Sequence, residues 1–347
     1  MKTKRIVFTG IGKAELWDYN VPHPKEGEVL VETMYTAVSA GTERANLMRM
    51  PNTGAYLVDD SEPVWSGGYS STGIVKEIGE GVKSVSVGDK VLVIWGPNTG
   101  LKVVPEHNVI KIEDRTLDLK HAAFALIASF SAAGVRKTRL EFGESAMVFG
   151  IGILGAFAVQ ICRLAGAFPV IAADLNPERR TLALDLGADY AFNPADDDFV
   201  HLVKDVTKGA GVKAIIEVTG QSLALKQALD CIAPMGRISL LGCTRISDTP
   251  IDFYRQVHRP GIMIVGAHTH ARPKLESYPH YWTERDDCIA ILNFMAHGRM
   301  DMSKIISEVH YPEEAPEVYQ RLAENKDFPV GVLFDWTKIN QTKIDNE

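Results

Sequence analysis

Cysteine is scarce and scattered in this chain: Cys162, Cys231, Cys243 and Cys288 are the four, and none forms a C-x-x-C pair. That argues against a disulfide framework, and all four are expected to be buried thiols of a reduced compartment, read as the cytoplasm. No apolar run approaches the roughly 20 residues that span a bilayer, so no membrane partner is expected. The opening segment Met1-Lys2-Thr3-Lys4-Arg5-Ile6-Val7-Phe8 holds too short an apolar run for a signal peptide and reads as a first strand. Positive charge is also short: the net charge is −7 and no basic stripe occurs, which argues against nucleic acid as the main partner. Internal repeats and low-complexity segments are missing. What is left, 46% hydrophobic and 23% charged, is ordinary globular composition, and 347 residues suit two domains rather than one.

The first hundred residues are rich in glycine, proline and short β-type runs, such as Val29-Leu30-Val31, Gly73 to Ile78 and Lys90 to Ile94. Turn signals at Pro22-His23-Pro24, Gly79-Glu80-Gly81 and Val87-Gly88-Asp89 punctuate them, so a partly open antiparallel β-barrel is expected. From about Ala122 the pattern changes. A helix from His121 to Lys137 precedes the strand Ser145 to Phe149. Further strands follow at Val170–Ala173, Ala191-Phe192, Ala214–Val218, Arg237–Leu241 and Ile262–Val265, alternating with helices. Such alternation implies parallel β-α-β units with right-handed crossovers. The tail holds helices at Asp286–His297 and Pro316–Glu324, then a strand at Val330–Phe334 that is expected to return to the first domain. The expected fold class is α/β, a barrel domain of residues 1–127 and 268–347 plus a doubly wound domain of residues 128–267.

Within that second domain, Val148-Phe149-Gly150-Ile151-Gly152-Ile153-Leu154-Gly155 places G-x-G-x-x-G between an apolar strand and an apolar helix. Asp174 ends the next strand, roughly 20 residues on, as a dinucleotide site requires. Gly150 permits the tight turn, Gly152 lets a pyrophosphate approach the backbone, and Gly155 lets helix and strand pack closely. The phosphates would sit on the helix N-terminus. Asp174 would accept the ribose hydroxyls of NAD and repel the 2′-phosphate of NADP, although Arg179 and Arg180 follow closely and leave some NADP tolerance open. The bare alternative is a glycine-rich turn without a ligand.

Three further segments make the chain resemble the medium-chain dehydrogenase/reductase, or zinc alcohol dehydrogenase, superfamily. Val38-Ser39-Ala40-Gly41-Thr42-Glu43 is similar to its I-C-G-T-D segment, and Gly68 to Val75 to its G-H-E-x-x-G-x-V. Val87-Gly88-Asp89-Lys90-Val91 is similar to its x-G-D-R-V. The resemblance runs from Ile6 to Phe334 and implies a GroES-like barrel beside a Rossmann domain, with NAD as cofactor. The implied cofactor contacts are Gly150, Gly152, Ile153, Leu154, Gly155, Asp174, Arg179, Thr219, Gly242, Gly266 and Ala267. Members with catalytic zinc supply Cys, His, and Cys or carboxylate where this chain has Ala40, Tyr69 and Ala128, and the four-cysteine structural lobe is missing too. Alanine has no lone pair and a tyrosine hydroxyl is a poor zinc ligand, so no metal is expected. The S-x-G-T-E and G-Y-S-x-x-G forms resemble the bacteriochlorophyllide dehydrogenase-like branch. The C-terminal segment Tyr278 to Arg285, with Trp95-Gly96-Pro97 and Ser131 to Arg136, is similar to the D-guloside 3-dehydrogenase group of sugar dehydrogenases.

Without zinc, a side chain must move the hydroxyl proton. Thr42 occupies the family's proton-relay position, and Tyr69 stands where a zinc histidine would project. Glu43 is either a base or, the favoured reading, the partner of a neighbouring Arg or Tyr. His268 follows the last Rossmann strand and titrates near neutrality. Trp95, Tyr278, Tyr281 and Trp282 would give an aromatic wall for a sugar face, with His270, Arg285 or Lys102 adding polar contacts; a packed seam is the bland alternative. The leading expectation is an NAD(H)-dependent, zinc-independent oxidoreductase of a sugar, glycoside or polyol hydroxyl. An NAD(P)H-dependent reductase of a bulky cyclic ketone or enone is the rival, and a catalytically silent nucleotide-binding protein the reading of another class. A small-molecule substrate and a homodimer or homotetramer, paired near Gly261 to Gly266, complete the expectation.

Overall fold

The N-terminal strands are short, β-branched and interrupted by glycine turns, and they assemble into the sheet of the first unit. In this computed structural model the described residues are 1–53, 65–324 and 328–341. Strands β1 (Lys2–Gly10) and β2 (Lys13–Asn20) form an antiparallel hairpin with Ile6 opposite Leu16. Next come β3 (Glu28–Val38), α1 (Ala40–Leu47), β4 (Ser70–Ile78), β5 (Lys90–Ile94), β6 (Leu101–Pro105), β7 (Val109–Lys111) and α2 (Leu119–Ala122). The chain later contributes β14 (Ile306–His310), α9 (Ala315–Glu324), β15 (Gly331–Asp335) and α10 (Thr337–Gln341). The sheet order is β14-β15-β3-β4-β5-β7, with β6 also on β3. Every pairing is antiparallel except β14 with β15.

Valine fills this barrel. Val29, Val31, Val75, Val85, Val91, Val93, Val104 and Val109 form one buried cluster, as suits β-branched side chains packed on a pleated surface. A second cluster gathers Ile6, Phe8, Leu47, Tyr319, Phe334 and Trp336. It holds β15 against β3, where Val332 faces Val38 and Asp335 faces Tyr35.

The second unit opens in α3 (Ala125–Lys137) and continues through β8 (Ala146–Phe149), α4 (Ile153–Leu164), β9 (Val170–Ala173), α5 (Pro177–Asp185), β10 (Tyr190–Phe192), α6 (Phe199–Val206), β11 (Val212–Glu217), α7 (Ser222–Cys231), β12 (Ile232–Leu240) and β13 (Met263–Gly266) into the first turns of α8 (Glu284–Ala296). Its strands are parallel in the order β10-β9-β8-β11-β12-β13. All four residues of β8 and of β9 are buried, the pattern of strands covered on both faces. Strand order reverses between β8 and β11, and ligands of such sheets bind at the carboxyl ends beside that reversal.

Three details depart from expectation. The helix expected over His121–Lys137 is two, α2 and α3. The break falls at Ala123-Phe124, where the Phe124 N–H reaches back only to His121. Cys243 is exposed while the other three cysteines are buried, because it sits beyond the carboxyl end of β12 on chain that has left the sheet. Compact division places Met1–Leu126, Leu292–Gly298 and Ile305–Glu347 in one unit and Ile127–Ile291 with Arg299–Lys304 in the other. Residues 268–291 therefore go with the nucleotide fold rather than the barrel. Arg272 explains this, for its guanidinium bonds the carbonyl of Ser129 on α3 at 2.7 Å.

Candidate active site

In the second unit, β8 runs into Gly150, whose φ of +94° is left-handed backbone. A side chain there would strike Thr219 at 2.7 Å, and one at Gly155 would lie 1.9 Å from the Gly150 carbonyl. Gly152 is different: a Cβ there meets nothing within 4 Å. Gly152 is also the N-cap of α4 and offers no side-chain cap, whereas Asn176 caps α5 through the N–H groups of Glu178 and Arg179. The α4 terminus thus keeps open N–H groups over an empty cradle, which suits a pyrophosphate. Ile153 and Leu154 form its first turn, and the Leu154 carbonyl accepts Ser131 Oγ at 2.7 Å.

Asp174 follows β9 and is 9% exposed. Its Oδ2 accepts the Ile151 N–H at 2.6 Å and its Oδ1 the Asn176 N–H at 2.8 Å. Each oxygen keeps a lone pair for a ribose hydroxyl. Arg180 Nη1 donates to the carbonyls of Asp174 and Leu175, while Arg179 contributes its N–H to Asn176. At the end of β11 the fully buried Glu217 accepts from the Thr219 N–H and hydroxyl and the Gly220 N–H. Burial raises the Glu217 pKa against those bonds. Gly242 follows β12, where a side chain would meet the Gly220 nitrogen at 2.4 Å. Gly266 and Ala267 end β13. The implied cofactor residues therefore stand at the carboxyl ends of five parallel strands or on the helices that follow them.

Just beyond β13, the rings of His268 and His270 lie 5.1 Å apart, and the His270 N–H donates to His268 Nδ1 at 3.2 Å. Partial burial, then the charges of His270, Lys137 and Arg245, lower the His268 pKa. Tyr278 and Tyr281 close a short antiparallel turn with rings 5.3 Å apart. Trp282 stacks on the Arg136 guanidinium at 3.8 Å, and Arg285 lies half-buried in the first turn of α8. Of the expected aromatic wall, these three rings are spread along one loop, and Trp282 is committed to a cation.

In the first unit Thr42 is exposed on α1, its carbonyl accepting Asn46 Nδ2 at 3.0 Å. Its neighbour Glu43 is only 2% exposed. Glu43 accepts the Ser39 N–H at 2.9 Å, the Tyr319 hydroxyl, and Asn98 Nδ2 at 3.4 Å. Burial pushes its pKa up to about 7, the three hydrogen bonds opposing. The Tyr69 ring lies 5.5 Å from that of Trp95; Tyr69 is buried and Trp95 is 42% exposed. Lys102, buried among these strands, donates to Ser71 Oγ and to the Pro97 carbonyl, both at 2.8 Å. Burial pulls its pKa down to about 7. Lys102 and Glu43 thus brace adjacent residues at the end of segment 95–98, Pro97 and Asn98.

Asn98, Tyr319, Glu217, Arg136, Arg272 and Asp287 escaped sequence reasoning. Glu217 had a signal, an acid closing an apolar strand as Asp174 does. Tyr319 had none, since its partner is 276 positions away.

The three positions that the resemblance equates with catalytic zinc ligands carry no thiolate, imidazole or carboxylate. Ala40 heads α1 and packs on the apolar cluster around Phe8, Ala128 is fully buried in α3, and Tyr69 leans on Trp95. No group of three or more His, Cys, Asp or Glu residues among those described could hold a metal ion, and no helix among them is long and apolar enough to cross a membrane.

Known proteins agree with this architecture. A family model described as zinc-binding dehydrogenase matches residues 154–282. L-threonine 3-dehydrogenase of Pyrococcus horikoshii is 31% identical over 271 residues, covering 70% of this chain and 74% of that protein. D-guloside 3-dehydrogenase of Escherichia coli is 27% identical over 274 residues, 77% of each. A crystal structure from Sinorhizobium meliloti, described as a zinc-binding dehydrogenase bound to NADP, aligns with a TM-score of 0.80 at 22% identity, covering 96% of this chain and 99% of that one. The chain belongs to the zinc-binding dehydrogenases of the medium-chain dehydrogenase/reductase superfamily, oxidoreductases that act on CH–OH groups.

Proposed function

We propose that this protein is an NAD(H)-dependent, zinc-independent dehydrogenase that interconverts a secondary hydroxyl of a sugar, glycoside or polyol with the ketone. The observation that carries the cofactor reading is Asp174, held by the Ile151 N–H beside an uncapped glycine turn. An acid there accepts ribose hydroxyls and repels a 2′-phosphate. The substrate class is supported by the D-guloside 3-dehydrogenase relative. Metal independence is supported by the lack of lone pairs at Ala40 and Ala128.

NAD supplies the hydride acceptor. Thr42 is the exposed hydroxyl that the first unit offers as a candidate. His268, its pKa lowered, is unprotonated at neutral pH and suited to take up the hydroxyl proton. The buried Glu43 positions the 95–98 segment through Asn98 rather than meeting substrate. Since β13 closes the sheet with an open edge and Met263 there is 47% exposed, we also propose that this edge pairs two copies of the chain.

The test is NADH absorbance with metal-stripped protein, NAD and a panel of sugars, glycosides, polyols and simple alcohols. Turnover of sugar-type substrates without metal is expected. Activity that returns only with zinc would overturn the metal-free reading. NADPH-dependent reduction of cyclic ketones or enones would replace the substrate class. Tight NADH binding without any turnover would mark a silent nucleotide-binding protein.

A further inference from the structure

Strand β11 closes on a buried acid. After Ala214, Ile215 and Ile216, all buried, Glu217 falls in register between Phe149 of β8 and Leu240 of β12. Its side chain is wholly buried, and no described cation pairs with it. A carboxylate withdrawn from water beside apolar neighbours costs stability unless donors meet it. Here every donor comes from one turn: the Thr219 N–H at 2.7 Å, the Thr219 hydroxyl, and the Gly220 N–H at 3.1 Å. The Glu217 carbonyl accepts the N–H groups of Leu241 and Gly242, at 2.9 and 2.8 Å. One residue therefore ties the turn after β11 to the turn after β12.

Backbone lies against backbone around this tie. Gly220 has a φ of +66°, and a side chain on it would lie 2.6 Å from the Cys243 carbonyl oxygen. Thr219 lies against Gly150, the first glycine of the cradle. In a trans peptide the N–H and C=O point opposite ways. With the Gly220 N–H drawn onto Glu217, the Thr219 carbonyl is directed away from it, and no described group donates to that carbonyl. The sheet order β9-β8-β11 puts Asp174 and Thr219 on opposite sides of the reversal. A dinucleotide crossing it lays its adenosine half by Asp174 and its nicotinamide half by Thr219.

We propose that Glu217 is a positioning residue for the nicotinamide half of the cofactor: without touching it, the carboxylate fixes the Thr219-Gly220 turn so that the cradle holds one shape before the cofactor arrives. The inference rests on the dinucleotide reading and adds to it a residue outside the glycine turn. A turn ordered in advance spares the cofactor the free energy of ordering it.

Equilibrium binding of NADH, and of AMP as a probe of the adenosine half alone, tests this. Glu217→Leu leaves two buried N–H groups without their acceptor, and is expected to weaken NADH about tenfold or more while AMP holds within about twofold. A general structural lesion would weaken AMP as well. Glu217→Gln keeps one acceptor oxygen and should recover part of the NADH affinity. Thr219→Val removes only the hydroxyl and should show the same split at smaller size. An unchanged NADH affinity in folded Glu217→Leu, NADH and AMP falling together, or no recovery in Glu217→Gln overturns the positioning role. If Glu217→Leu does not fold, the split in Thr219→Val decides by the same criterion. A parent protein that binds neither NADH nor AMP would overturn the dinucleotide reading itself, and that result is seen before any variant is made.

Discussion

Glu43 shows what a buried carboxyl does once its usual setting has changed. Next to Ala40, with Tyr319 and Asn98 as partners, it is held mostly by neutral donors, and desolvation raises its pKa to about 7. A folded pKa above the unfolded value of about 4.5 means the native state binds more protons between those limits. Its contribution to stability is then complete below about pH 4.5 and is lost as pH rises through about 7. Replacing it with glutamine removes that loss. The melting temperature of Glu43→Gln relative to the parent is expected to climb between about pH 5 and pH 8, by an amount worth a few kcal/mol at most; a flat difference would show that Glu43 is ionised and paired. Asp174 is the residue on which the proposed preference for NAD rests. Asp174→Ala should weaken NAD roughly 10- to 100-fold, the worth of a charged hydrogen bond, and narrow the gap to NADP. An unchanged NAD/NADP ratio in equilibrium binding would remove the basis for the NAD assignment.

Among elements, the β8–α4 turn makes the sharpest demand on its residues. Gly155 and Gly152 differ in what surrounds them, not in composition. A Cβ at Gly155 collides with backbone, while one at Gly152 meets open space. Gly155→Ala is therefore expected to cost about 1–3 kcal/mol through overpacking, visible as a lower melting temperature. Gly152→Ala, at an ordinary φ of −75°, should leave melting nearly unchanged and weaken cofactor binding by crowding the pyrophosphate. Reversal of the two results would mean the cradle has been misassigned. The strand, turn and helix of this element were legible in sequence because the apolar runs and glycine spacing that mark them are all local. Strands β5 and β9 were legible to the residue for a similar reason, since continuous apolar runs between turn signals mark buried strands. The division of α2 from α3 was not, because neither glycine nor proline marks it.

Over the whole molecule, chain order and spatial order part company. β15 lies between β14 and β3, and Phe334 and Trp336 are completely buried in the first unit, each worth about 1.5–3 kcal/mol of burial. A chain ending at Pro329 should therefore fail to form the first unit. Loss of the near-ultraviolet circular dichroism of its tryptophans would register this, and a native spectrum would show the barrel closes without β15. The ordinary composition, the parallel α/β half, the dinucleotide turn and the missing zinc donors were all written in local patterns, so the sequence by itself determined them. Only tertiary structure decided that Glu43 meets Tyr319 and that residues 268–291 belong with the nucleotide fold. Those facts depend on groups far apart in the chain, and which of them shed water together is set by packing, which no local period or spacing encodes.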